Sequence, residues 1–163
     1  MKIEFEAGTL NEQDYEERAG NYIDFAEDIF ENYCNERGLK KRRLHFNDTP
    51  DFAASPIPLW ANMHPLLKKF PDYFVYNTKE HFFCEVKANY KIKLEDLKHY
   101  ILFDTLFCEN NSSQYYIVFC IRGDDKPKFY TVNQILKMLP YAELDKYHDG
   151  PEYYKLKVND DVQ

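Results

Sequence analysis

Two short runs of aromatic and β-branched residues, Tyr73–Tyr76 and Phe82–Val86, flank the polar quartet Asn77–Glu80 within the stretch KFPDYFVYNTKEHFFCEVKAN, residues 69–89. Strand-forming runs joined by a short polar turn predict a β-hairpin. In its second strand Glu85 and Lys87 are two apart and so share a face, while Cys84 and Val86 point to the other. Asp72, at the start of the first strand, is expected close to Glu85 and Lys87 at the end of the second.

Helical spacing governs the stretch before it. Tyr15, Ala19, Tyr22, Ala26, Ile29 and Tyr33 recur every three or four positions, with Phe25 and Phe30 flanking the stripe, which predicts a helix over Asn11–Arg37 stopped by Gly38. After the hairpin, Leu94, Leu97, Ile101, Phe103 or Asp104, and Leu106 predict a second amphipathic helix over Leu94–Phe107. Tyr115–Ile121, YYIVFCI, is continuously apolar, as in a strand covered on both faces. Lys128–Val132 and Tyr153–Val158 read as further strands, and Asn133–Leu139 as a short helix. Met1–Ala7 reads as an edge strand or a loose arm, and Leu66, Leu67 and Phe70 as a helical turn feeding the hairpin. The order implies a mixed α/β (α+β) fold in a single domain.

Composition narrows the class. The chain has 163 residues, 44% of them hydrophobic and 17% aromatic, enough for one domain with its own core. No apolar run approaches the roughly 18 residues of a membrane span, and MKIEFEAG has no signal-peptide apolar region. The chain therefore reads as soluble, intracellular and cytoplasmic. Cys34, Cys84, Cys108 and Cys120 form no CxxC pair and read as reduced core thiols.

The formal net charge is −7, unfavourable for contact with a phosphate backbone, but it is unevenly spread. The first 36 residues hold 11 acids and 2 cations, so the rest of the chain, with 17 acids and 19 cations, is slightly positive. Lys40, Lys41, Arg42 and Arg43 are consecutive, and Lys69, Lys91 and Lys98 gather around the hairpin in sequence. These are the candidate phosphate contacts, with a solvated charge run as the alternative.

Two adjacent carboxylates repel unless a cation lies between them, and a hard divalent ion that keeps several waters is the usual solution. Asp72 and Glu85, with the Val86 carbonyl, supply oxygen ligands for Mg2+. Lys87 supplies a point charge for an attacking water or a phosphate oxygen. On the residues alone, a same-face ion pair on a solvated strand is the commoner reading of Glu85 and Lys87. A second Pro-Asp, Pro50-Asp51, is separated from Glu85 by several prolines and does not write a hairpin. Trp60 and His64 lie in a Pro-rich insert and fit a substrate groove or a packed lid.

Pro71-Asp72 followed thirteen positions later by Glu85-Val86-Lys87 resembles the PD-(D/E)XK motif of the restriction-endonuclease-like nuclease superfamily. The resemblance implies an αβββαβ core with a central mixed β-sheet flanked by helices, over about residues 16–122 of a single domain 1–163, with residues 123–163 as a C-terminal extension. It implies a metal-dependent nuclease using Mg2+, with Mn2+ as a substitute, and Asp72, Glu85 and Lys87 as catalytic residues. Ala26-Glu27-Asp28 is similar to the family's first helix, which makes Glu27 a third acid and metal ligand. It also makes Lys98, on the second helix, a candidate for aiding the metal or the phosphate. Nucleic acid, foremost DNA, is the expected partner, recognised by its structure more than by its sequence; a homodimer or a protein partner stays open. The competing readings are a nuclease-fold binding module without turnover, and an enzyme using His45, His64 or His99, for which no nucleophile is suitably spaced.

Overall fold

The computed structural model describes residues 15–44, 69–108, 113–124, 126–148 and 150–158, with side chains from residue 25 onward. The expected strand at Met1–Ala7, and the candidates His45, Asp51, Trp60 and His64, lie outside the described residues.

The hairpin forms as its pattern dictates. Strands β2 (Tyr73–Tyr76) and β3 (His81–Lys87) pair antiparallel with Tyr73 opposite Cys84 and Tyr76 opposite His81. The turn is closed by the Asn77 N–H donating to the Glu80 carbonyl at 2.9 Å, while the Asn77 side chain accepts from the Lys79 and Glu80 N–H groups. Such an Asx turn is why Asn serves there.

Around this hairpin a five-stranded mixed sheet is ordered β1-β2-β3-β5-β6. β5 (Gln114–Phe119) runs parallel to β3, and β6 (Lys128–Thr131) antiparallel to β5. The parallel pairing needs a crossover, supplied by helix α2 (Leu94–Phe103), which continues into a π-helical turn at Asp104–Cys108. β6, which follows residue 122, belongs to this main sheet. A second sheet, β4-β8-β7, joins β4 (Lys91–Lys93), β7 (Glu143–Lys146) and β8 (Glu152–Lys155). The result is an α+β domain with helices on both faces of the central sheet.

Helix α1 (Tyr15–Glu36) covers one face. Ala26, Phe30 and Cys34 are buried against Tyr73, Val75, Phe82, Cys84, Val118 and Cys120. The buried line is thus the 26-30-34 ridge; Phe30, expected beside the stripe, is its centre, and its ring lies 5.1 Å from that of Tyr73. Gly38 ends the helix at φ +64°, with the Leu39 N–H donating to the Cys34 carbonyl at 2.9 Å, an arrangement that favours glycine. The other face packs on α2 through Tyr100 and Phe103, with Tyr115, Ile117 and Phe119 of β5. Alternate residues of β5 enter opposite cores, as a strand covered on both faces requires. On α2 the buried residues are Asp96, Leu97, Tyr100 and Phe103, while Ile101 and Leu106, expected in the packed stripe, are exposed.

Two strands were not expected. β1 (Lys40–Arg43, KKRR) pairs with the outer edge of β2, and β7 pairs with β8. Short helix α3 (Val132–Met138) starts at a capping box in which Thr131 Oγ1 accepts from the Gln134 N–H and the Gln134 side chain from the Thr131 N–H. All four cysteines are buried free thiols. Among the described residues no helix is long and apolar enough to cross a membrane.

Candidate metal and phosphate site

Tyr73 faces Cys84, so one further step of the register sets Asp72 against Glu85. The Val86 N–H donates to Asp72 Oδ2 at 2.7 Å, and the Asp72 carbonyl accepts from the Leu44 N–H at 2.9 Å. Asp72 is thereby pinned between β1 and β3 and is only 9% exposed. The Lys87 carbonyl accepts from the Cys120 N–H, so residue 87 turns its backbone toward β5 and residue 86 turns toward β2. In an extended strand the N–H and C=O of one residue point the same way. The Val86 carbonyl therefore opens on the side where Asp72 lies.

Glu85 and Lys87 share the face that α2 covers. Lys87 Nζ donates to Glu85 Oε1 at 2.8 Å, and the Tyr100 hydroxyl donates to the same oxygen at 3.2 Å. Asp96 closes the group: its Oδ2 lies 3.9 Å from Lys87 Nζ, and its Oδ1 accepts from Lys69 Nζ at 2.7 Å. The Glu85 and Lys87 side chains remain 15% and 23% exposed, so the cluster has a mouth to solvent.

Burial, followed by the nearby Asp72 charge, pushes Glu85 up to about 7, and the adjacent Lys87 only partly offsets this. Burial alone would lower Lys87, but Glu85, Asp96 and Asp72 together hold it charged, above its ordinary range. Burial likewise works against Asp96, yet Lys87 and Lys69 win and hold it below the usual carboxylate range. Burial and then Glu85 raise the Tyr100 hydroxyl well above its ordinary value, so it stays a donor. Among the described residues no three His, Cys, Asp or Glu side chains are arranged to hold a metal ion. Asp72, Glu85 and the Val86 carbonyl fit an ion that takes one or two carboxylates and completes its shell with water, as Mg2+ does.

The other expected site residues are dispersed. Glu27 is held in an ion pair with Arg43 on the α1 face, not in the acid pair, because strand alternation turns Arg43 toward that helix. Lys41 also faces α1, 3.6 Å from Glu31 and 2.9 Å from Asn35 Oδ1. Lys40 and Arg42 are exposed on the opposite face. Lys69 is committed to Asp96. Lys91 lies over the rings of Tyr153 and Tyr147, at 4.7 and 5.5 Å. Lys98 is exposed on α2, where Asp96 and Tyr100 instead reach the cluster. His99 Nδ1 is 2.8 Å from the Glu95 carbonyl of its own helix. Burial pushes Cys34 and Cys108 up to about 11, so neither is a thiolate nucleophile at neutral pH.

Asp96 and Tyr100 are the residues that sequence reasoning missed. Their spacing of four, one helical turn, was the available signal. A hollow of about 690 Å3 lies at the far end of the hairpin, lined by Tyr33, Arg37, His81, Phe82, Tyr116 and Phe129 among others. Among the described residues its lining holds a single acid, Glu80, and the Asp72, Glu85 and Lys87 group lies at the opposite end of β3.

No family model matches the chain, and no curated protein matches it. Among solved structures it is similar to that of Hjc, a Holliday junction resolvase from the archaeal hyperthermophile Archaeoglobus fulgidus. Identity is 14% over 78% of this chain and 84% of that one, with a TM-score of 0.43.

Proposed function

We propose that this chain is a divalent-metal-dependent nuclease of the restriction-endonuclease-like kind, hydrolysing phosphodiester bonds, with DNA the first substrate to test. The observation that supports the reading is the pair of contacts at the end of the hairpin, the Val86 N–H donating to Asp72 and Lys87 to Glu85, which gathers the three charged groups there.

Mg2+, or Mn2+ in its place, supplies when bound an activated water and positive charge for the phosphate oxygens. Asp72 and Glu85 supply the negative charge that holds such an ion, with the Val86 carbonyl as a third oxygen. Asp72 is preorganised by the Val86 N–H, and Glu85 by Tyr100. Lys87 is kept charged by the carboxylates around it and neutralises charge that develops on the phosphate, where a preoriented cation costs no reorganisation. Asp96 acts through Lys87 and Lys69, as a positioning residue.

Incubation of the purified chain with supercoiled plasmid and with labelled DNA and RNA oligonucleotides, in Mg2+ or Mn2+, tests this. Cleavage is expected, lost in chelator and reduced about a hundredfold or more in Asp72→Ala, Glu85→Gln and Lys87→Ala, the scale of losing one transition-state charge contact. No cleavage of any substrate, with no metal-induced rise in Tm, would leave a binding module on this fold as the better account.

A further inference from the structure

The KKRR strand divides its charges. Lys41 and Arg43 stand opposite Val75 and Tyr73 and face α1, where Glu31 and Glu27 engage them. Lys40 and Arg42 stand opposite Tyr76 and Phe74 on the other face, both exposed and without an acidic partner among the described residues. Three cross-strand rows follow on that face. Lys40, Tyr76 and His81 form the first and Arg42, Phe74 and Phe83 the second, and Asp72 with Glu85, one step beyond the last ladder pair Tyr73–Cys84, the third. Side chains two apart along a strand are separated by about 7 Å, so cations and rings approach the acids in even steps.

The rings form a surface of their own. Phe74 stacks on Tyr76 with centroids 5.6 Å apart and planes 22° apart, and the His81 and Phe83 rings lie 6.1 and 5.0 Å from Phe74. Helix α2 reaches Phe83 and Glu85, through Phe103 and Tyr100, while Tyr76 is 38% exposed and His81 exposed. Exposed rings beside unneutralised cations are what an unpaired nucleic-acid strand requires: its bases offer faces for stacking and its backbone offers charge. A duplex keeps its base faces stacked inside, where these rings cannot reach them.

We propose that the β1–β2 side of this sheet face is a platform for single-stranded nucleic acid, with phosphates on Lys40 and Arg42 and bases on Tyr76, Phe74 and His81, delivering the strand to Asp72 and Glu85. The delivery, though not the binding, rests on the nuclease reading.

Fluorescence anisotropy in chelator, where metal-dependent cleavage is off, separates the two. Labelled oligo-dT, oligo-U and a duplex are titrated with the wild-type chain. The unpaired strands bind at least tenfold more tightly than the duplex. Tyr76→Ala weakens that binding about tenfold, within the range expected for losing one stacked base, and Lys40→Ala combined with Arg42→Ala weakens it about tenfold through the two lost phosphate contacts. Tyr76→Phe and Lys137→Ala, the latter a one-charge loss on exposed α3, bind like the wild type. Arg42→Glu carries the same test should Tyr76→Ala fail to fold. The platform is overturned by no binding, by a duplex preference, or by wild-type affinity in both weakened variants, whatever the cleavage assay shows. Strand binding without Asp72-dependent cleavage sinks the nuclease reading and leaves the platform standing.

Discussion

Glu85 is the group of the cluster whose raised value falls near neutral pH. Its carboxyl is raised from 4.5 to about 7 by burial and by Asp72. Between those values the folded chain keeps a proton that the unfolded chain has released. The associated stability is complete below about pH 4.5 and is lost as pH rises to about 7. In metal-free thermal melts, the Tm of the wild type relative to Glu85→Gln is expected to fall by a few degrees between pH 5 and pH 7.5; parallel profiles would refute the assignment. Asp72, Glu85 and Lys87 were legible because a hairpin of period-two strands leaves few ways to arrange them. Asp96 was not. An acid in the first turn of a helix reads as a solvated group that favours the helix dipole, and its burial depends on Lys69 and Lys87 arriving from other segments. Glu27 shows the converse, since the partner it meets, Arg43, comes from a strand with no apolar signature.

At the scale of elements, α1 is held by its 26-30-34 ridge more than by propensity. Phe30 is fully buried between Tyr73 and Phe129, with ring centroids 5.1 and 6.3 Å away. Phe30→Ala is expected to cost about 3–5 kcal/mol in urea denaturation, and a loss under about 1 kcal/mol would mean that α1 does not pack as described. Thr131→Ala removes one half of the α3 capping box and should cost about 1 kcal/mol, a smaller loss that the same measurement resolves. The hairpin, α1, α2 and β5 were readable from periodicity. β1 was not, because four consecutive cations carry no apolar period; the free edge of β2 makes them a strand. Ile101 has helical spacing and yet faces solvent, because α2 turns Tyr100 and Asp96 toward the sheet instead.

For the whole molecule, the net charge of −7 argued against contact with nucleic acid. The fold answers part of this by pairing Glu27 and Glu31 of α1 with Arg43 and Lys41, leaving Lys40 and Arg42 on the other face. An interface with two phosphate contacts has a shallow salt dependence. Its expected slope of log affinity against log salt for an unpaired strand is about −1.4, measured by anisotropy from low to moderate salt. A slope several times steeper would mean that cations beyond this face contribute.

Sequence alone determined which residues alternate, which recur at helical spacing, and therefore that Asp72, Glu85 and Lys87 meet on one face of a hairpin. Those are local consequences of strand and helix geometry, acting over a few residues. Tertiary structure decided what each charge meets: Glu27 with Arg43, Asp96 with Lys87 and Lys69, Tyr100 with Glu85, and Lys40 and Arg42 beside Tyr76 and Phe74. Such pairings join residues distant along the chain, and they are set by which strand docks on which edge and which way each helix is turned about its own axis.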